Sequence, residues 1–167
     1  SYQIDEIIQR PGWDSIDKVK VDGHFYSTKP ALYPTLVAGL YYLGRPTIGL
    51  DLDRAPHKTI RWLLAVVNLI PWIVALIAFA ALLERLTADS TTRTIVLLTA
   101  ALGTFLSPFL ITLNNHTPAA VAAMLTLWAV WPLWAAPRGE ASPPIWRYAL
   151  AGLFAAWTTC NELPAFP

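Results

Sequence analysis

Charged residues are scarce in this chain of 167 residues, and cysteine is almost absent. Only 14% of the residues are charged and 55% are hydrophobic, whereas about a quarter of a typical soluble domain is charged. The formal net charge of +1 gives no electrostatic footprint for nucleic acid, so we expect no nucleic-acid partner. The single cysteine, Cys160, excludes an internal disulfide framework and a cysteine-rich zinc site. This composition excludes a disordered chain, a basic nucleic-acid binder and an ordinary soluble enzyme.

Two long uncharged runs dominate the rest of the sequence. One covers residues 62–83 and the other covers residues 94–137. Because about 20 apolar residues cross the hydrocarbon core of a bilayer, the second run is long enough for two crossings. We therefore predict an all-α, polytopic membrane protein with about four spanning helices, an interfacial helix and a polar N-terminal extramembrane segment.

Polar segments set the limits of the predicted spans. The second and third spans are joined by a turn at 114–117, in which Thr117 is the expected N-cap and Pro118 the first helical residue. Pro71 predicts a kink in the first span. Residues 31–44 are apolar but too short to cross, so we expect an interfacial helix there, followed by a polar linker to residue 61. The predicted spans are 62–83, 95–113, 118–136 and 148–167.

The N-terminal segment, residues 1–30, is polar and is expected to lie in water. Ile4, Ile7 and Ile8 follow helical spacing and predict a short amphipathic helix. Apolar and polar residues alternate on both sides of Asp22-Gly23, which predicts a β-hairpin.

Counting the crossings brings the unusual polar residues to one side of the membrane. If residues 31–44 do not cross, then residues 1–61, the turn at 114–117 and the region of Glu162 share that side. The Lys and Arg count alone assigns residues 1–61 to the cytoplasm, but long loops escape this rule and the orientation stays open. We expect a polar site on the shared face, formed by Asp22, His24, Lys29, Asn114, Asn115, His116, Asn161 and Glu162.

Each candidate has an alternative interpretation without function. Glu162 is an acid within an apolar segment, which is typical of a cavity or a pathway, yet it is also compatible with a side chain reaching the interface. His116 is suited to binding a metal or phosphate or to moving a proton, or it belongs to a polar turn at headgroup level. The hairpin turn by itself explains Asp22, and the adjacent His24 adds a metal or a phosphate as the functional alternative. Lys29 suits a lipid phosphate or an ordinary snorkelling anchor.

One segment resembles a known family. Residues 22–34 (DGHFYSTKPALYP) are similar to the first large non-cytoplasmic loop of GT-C-type membrane glycosyltransferases, in particular protein mannosyltransferases and lipid A aminoarabinose transferase relatives, including bacterial members of the planctomycete kind. In that family an apolar juxtamembrane helix and a long spanning helix follow, as they do here. Ala31 and Thr28 depart from the family pattern. The residues that match it are Gly23, Tyr26, Lys29, Pro30 and Leu32.

The resemblance implies a function and an orientation. The donor would be a polyprenyl-phosphate-linked sugar, bound at the outer face of a bacterial inner membrane with residues 1–61 in the periplasm. Lys29 would stabilise the departing lipid phosphate, with His116 as a second candidate, and Glu162 would belong to the catalytic face. A divalent metal ion assists some members, and His24 and His116 are the candidate ligands here.

The family's catalytic base follows its first spanning helix, and both would precede Ser1 in this chain. We therefore expect a fragment that depends on the remaining helices of a longer enzyme and is inactive alone. The alternative is a non-catalytic or transport-type polytopic membrane protein with a polar cavity around Glu162 and His116.

Overall fold

The structure is a computed structural model that describes residues 2–135 and 143–162. The chain divides into two compact units, Ser1–Ala31 and Leu32–Pro167. Most of the described residues are helical, and the strands found among them form a single two-stranded sheet. The expectation of a mainly α-helical chain is therefore confirmed.

The first unit contains the predicted hairpin. Strands β1 (Lys18–Val21) and β2 (His24–Ser27) pair antiparallel, with Val21 opposite His24. Both turn residues have positive φ, 49° at Asp22 and 89° at Gly23. A two-residue turn between twisted strands needs this backbone, which Asp-Gly adopts readily.

The prediction of a short helix near residues 4–8 is wrong. These residues form turns, with one helix-like hydrogen bond from the Ile8 amide to the Ile4 carbonyl (3.0 Å). The start of this segment instead forms backbone hydrogen bonds with strand β2 of the hairpin. Gln3 forms a bridge with Tyr26, and the Ile4 amide donates to the Phe25 carbonyl at 2.9 Å.

The second unit begins with helix α1 (Leu32–Ile48), which ends four residues after the predicted end of the interfacial helix at residue 44. It ends at Gly49, whose φ of 68° terminates helical geometry. The following residue, Leu50, is only 2% exposed and folds back onto Gly44 in the helix. The end of α1 is thereby tied to the chain that follows it.

Helix α2 (Pro56–Leu86) contains the first predicted span and is about 46 Å long at 1.5 Å per residue. It is α-helical except for a π-helical turn at Ala65–Leu69. Pro71, where a kink is predicted, comes directly after this wider turn. Proline lacks an amide hydrogen, and a π-turn is one of the local adjustments by which a helix accommodates it.

The second predicted span, 95–113, is not one helix. Helix α3 (Ser90–Leu102) starts early because the Asp89 carboxylate accepts from the Thr92 amide at 2.8 Å and caps it. It ends at Gly103, and a single-turn helix, α4 (Leu106–Phe109), follows. Pro108 removes one amide donor from this stretch, which disfavours a continuous helix.

The last two helices are antiparallel. Helix α5 (His116–Ala135) begins two residues before the predicted start, because Asn114 rather than Thr117 supplies the capping oxygen. Helix α6 (Ile145–Asn161) begins three residues before its predicted start. The predicted end of the third span at Ala136, most of the loop at 137–147 and residues 163–167 of the last span lie outside the described residues.

The core of the second unit lies where α2 and α6 pack against α5. Trp72, Ala75 and Val121 form its centre. Small buried residues on α5, such as Ala119 and Ala122, allow close approach of neighbouring helices. Helix α3 packs on α2 without a buried residue and leaves its apolar side chains exposed.

Within the described residues, two helices are long and apolar enough to cross a membrane. They are α2 and α5, whereas α3 is apolar but shorter. These two helices correspond to the first and third predicted spans.

Candidate functional site

The start of α5 and the end of α6 meet and form a polar cluster, which consists of Asn115, His116, Asn161 and Glu162. Nδ2 of Asn115 donates to the Asn161 carbonyl at 2.7 Å and to Oε1 of Glu162 at 3.1 Å. The same Oε1 contacts Nδ1 of His116. Counting the crossings predicts that eight polar residues share one side of the membrane, and the structure brings these four of them into contact. Their functional roles stay predictions.

The two ionisable members of the polar cluster are open to the outside. The His116 side chain is 51% exposed and that of Glu162 is 26% exposed. The contact between Nδ1 and the carboxylate orients the imidazole ring and leaves Nε2 available to another partner. The pair can therefore exchange a proton with a bound hydroxyl group.

Asn161 is the buried member of the polar cluster. Its side chain is fully buried, and Nδ2 donates to the Trp157 carbonyl at 2.8 Å, one turn back along α6. Oδ1 has no hydrogen-bond partner within the described part of the chain. Asn161 therefore bonds to Asn115 through its backbone carbonyl and not through its side chain.

Asn114, also expected in the site, has a structural position instead. Its Oδ1 accepts from the Thr117 amide at 2.9 Å, and its Nδ2 donates to the carbonyls of Phe109 (2.9 Å) and Thr112 (3.0 Å). These hydrogen bonds all lie within the loop that leads into α5 and its first helical turn, and they fix that loop. Asn114 thereby holds the two residues that follow it, Asn115 and His116.

An apolar cavity of about 480 Å³ is lined by α1, α2, α5 and α6. Two of its lining residues are near the polar cluster: Pro118 is two residues after His116, and the Trp157 carbonyl accepts from Asn161. Its size falls in the usual range of ligand sites, roughly 300–1,000 Å³. The remaining lining includes Tyr33, Val37, Val67, Val121 and Phe154.

Sequence reasoning missed Asn68. This residue lies in the π-helical turn of α2 and is fully buried. Its Nδ2 donates to the carbonyls of Leu110 (3.2 Å) and Thr112 (2.8 Å), and its Oδ1 accepts from the Tyr33 hydroxyl at 3.3 Å. Glu162 is singled out as an acid within an apolar segment, and a polar residue within the apolar run 62–83 is a related signal that could have found Asn68.

The other three candidates lie in the first unit. Asp22 forms the hairpin turn, as its alternative interpretation holds. Nδ1 of His24 lies 2.8 Å from Oδ2 of Asp5, whose Oδ1 accepts from the Phe25 amide at 2.7 Å. The hydrogen bond from the Phe25 amide, and then that from His24, lower the pKa of Asp5 from its ordinary value.

Lys29 is half exposed, and its ammonium group pairs with the Asp17 carboxylate at 3.3 Å.

The metal hypothesis finds no three-ligand site. Among residues 2–135 and 143–162 there is no group of three His, Cys, Asp or Glu side chains that could hold a metal ion. His24 has one carboxylate beside it, Asp5, and His116 has one, Glu162. Protein metal sites typically have three or four such ligands.

Comparison with known proteins adds no family. No family model, no curated protein and no solved structure matches this chain.

Proposed function

We propose that this chain is the membrane-embedded part of a glycosyltransferase that takes its sugar from a polyprenyl-phosphate donor at the outer face of the membrane. One observation carries the proposal: two lining residues of an apolar cavity, Pro118 and Trp157, lie within two helical turns of a carboxylate–imidazole pair. A lipid-linked sugar has the same two parts, a hydrocarbon chain and a polar head. The exposed apolar side chains of α3 suit contact with lipid or with further helices.

The cavity would hold the hydrocarbon chain. Its lining is almost entirely aliphatic and aromatic, from Leu36 on α1 to Trp157 on α6. Burial of apolar surface stabilises such a ligand by about 25 cal/mol per Å². The phosphate would lie near Pro118 and Trp157, the lining residues closest in sequence to the polar cluster.

The polar cluster would act on the acceptor hydroxyl. In the transfer, the acceptor oxygen bonds to the anomeric carbon while the bond from that carbon to the phosphate oxygen breaks, and the phosphate keeps the electron pair. The hydroxyl proton passes to Nε2 of His116, whose ring is held by Glu162 on Nδ1. The resemblance assigns Lys29 to the departing phosphate.

Binding of labelled polyprenyl phosphate to the full chain in nanodiscs tests this proposal. We expect saturable binding that weakens at least about tenfold in Val37→Trp, which fills the cavity from α1. The matched control is Val74→Trp on α2, an exposed valine outside the cavity, which should bind as the parent does. Equal binding by both variants, or no saturable binding, overturns the proposal.

The transport-type alternative predicts a different result from the same preparation. The His116–Glu162 pair is also suited to passing a proton through a polar cavity. In liposomes, that alternative predicts a proton or solute flux that Glu162→Gln removes and Val37→Trp leaves unchanged. Such a flux without polyprenyl phosphate binding would favour the alternative over the transferase.

A further inference from the structure

Asn68 connects three parts of the second unit that are far apart in sequence. Tyr33 donates to it from α1, while the carbonyls it bonds belong to residues 110 and 112, after α4. Its side chain is fully buried, and all three polar contacts use the carboxamide. The buried carboxamide of Asn68 is therefore hydrogen-bonded to three groups. Its removal would leave the Tyr33 hydroxyl and two backbone carbonyls without this partner.

The segment that Asn68 holds needs outside donors. Helix α4 ends at Phe109, so the carbonyls of Leu110 and Thr112 have no following helical turn to bond them. Nδ2 of Asn68 reaches both, at 3.2 and 2.8 Å. In an apolar setting such carbonyls must be satisfied within the protein. Asn68 therefore fixes the path of this loop.

The same loop fixes the polar cluster. The Thr112 carbonyl accepts from Asn68 and also from Nδ2 of Asn114, at 3.0 Å. Asn114 in turn accepts from the Thr117 amide and so sets the first turn of α5. The residues between them, Asn115 and His116, contact Glu162. A continuous series of hydrogen bonds therefore joins α2 to the cluster.

We propose that Asn68 is a positioning residue of the polar cluster. By holding the carbonyls of Leu110 and Thr112, it sets where α5 begins and keeps His116 against Glu162. The inference rests on the proposed function only in treating the cluster as the working site. The π-helical turn fits this role, since such turns occur frequently at functional sites.

The test is nitrogen NMR of the three histidine rings of the full chain in nanodiscs, together with amide exchange at Thr117. The main variant is Asn68→Leu, which keeps the branched shape and the number of heavy side-chain atoms and removes the hydrogen bonds. We expect the His116 ring signals to move and Thr117 exchange to become about tenfold faster, because the capping loop is released. The signals of His24 and His57, outside the hydrogen-bonded series, should stay unchanged and serve as internal references.

Two control variants separate positioning from general destabilisation. Tyr33→Phe removes the bond to Oδ1 of Asn68 and leaves both bonds to the loop. Thr59→Val removes two bonds of an equally buried side chain on the same helix, where the hydroxyl accepts from the Asp51 amide and donates to its carbonyl. Neither control should move the His116 signals.

Three results would overturn the inference. One is an Asn68→Leu variant that unfolds more readily while His116 and Thr117 behave as in the parent. Another is a Thr59→Val variant that moves the His116 signals equally. If Asn68→Leu does not fold, Asn114→Ala interrupts the same series one step later, and unchanged His116 signals in that variant also contradict it.

Failure of this inference and failure of the proposed function are distinguishable, because the NMR readout needs no ligand. If His116 responds to Asn68→Leu but polyprenyl phosphate does not bind, the positioning role stands and the transferase proposal falls. If the lipid binds at the cavity but His116 does not respond, the reverse holds.

Discussion

His116 and Glu162 are 46 residues apart in the sequence, yet Nδ1 of one contacts Oε1 of the other where two antiparallel helices meet. Asn115 donates to the same carboxylate and to the carbonyl of Asn161. The contact joins the first turn of α5 to the residue that follows the last turn of α6. It therefore depends on both helices and on the loop that leads into α5.

The His116–Glu162 contact should matter for chemistry more than for folding. Both side chains are partly exposed, and exposed ion pairs contribute about 1 kcal/mol or less. We expect Glu162→Gln to insert and fold, with unfolding free energy within that amount of the parent, while sugar transfer by the full-length protein is lost. The control is Glu84→Gln, an exposed acid on α2. A loss of several kcal/mol in Glu162→Gln alone would show that the pair is structural.

Two glycines of α1 should respond in opposite directions to alanine. A Cβ on Gly44 would lie 2.9 Å from Cγ of Leu50, which is buried, so we expect Gly44→Ala to lose about 1–3 kcal/mol of stability. A Cβ on Gly39 meets nothing within 4 Å, and Gly39→Ala should gain about 0.5–1 kcal/mol by helix propensity. Denaturant unfolding of both variants in detergent checks the sign. A stable Gly44→Ala would contradict the packing of Leu50 on α1.

The hairpin of the first unit should loosen in acid. Bonds from the Phe25 amide and from His24 lower the pKa of Asp5 in the folded chain. The carboxylate therefore contributes stability that is complete above its unfolded pKa of about 3.9, and this stability is lost as the pH falls through the lower folded pKa. We expect the exchange protection of the Phe25 amide to fall only below about pH 4.

The variant for this prediction is Asp5→Asn, which should reduce Phe25 protection already at neutral pH because a neutral amide accepts more weakly than a carboxylate. Asp22→Asn is the matched control, since asparagine suits the same turn. Protection that is independent of pH in the parent would show that Asp5 does not hold the hairpin.

Lys29 tests the resemblance by itself. Its side chain is half exposed and paired with Asp17, so Lys29→Ala should change stability by less than about 0.5 kcal/mol. If Lys29 stabilises the departing phosphate, the full-length protein should insert normally and lose transfer activity. Lys20→Ala, in the same unit and outside the matched motif, should stay active. Equal activity in both variants would remove Lys29 from the catalytic residues.

Much of the fold could be predicted because burial and charge follow the chain directly. The uncharged run at 62–83 lies within α2, and the Asp22-Gly23 turn forms the hairpin. The proximity of the 114–117 turn to Glu162 followed from counting crossings. These inferences use patterns that are local or that add up along the sequence.

The rest depends on contacts that no local pattern records. The second predicted span is broken after Leu102. Two carbonyls that follow α4, those of Leu110 and Thr112, are satisfied by Asn68, more than forty residues earlier in the chain. The helix expected at residues 4–8 is lost because the chain there bonds to β2 instead. Tertiary hydrogen bonds override local preference at residues 4–8, and they fix the path of the loop that follows α4.

Photo-crosslinking with a polyprenyl phosphate that carries a diazirine on its hydrocarbon chain tests the central claim most directly. In nanodiscs, we expect adducts on the cavity-lining turns of α5 and α6, at residues such as Val121, Leu125 and Trp157, and their loss when unlabelled polyprenyl phosphate is added in excess. The exposed apolar residues of α3 serve as the internal comparison, since any lipid chain reaches them. Equal labelling of α3 and the cavity, unchanged by competition, would contradict the account.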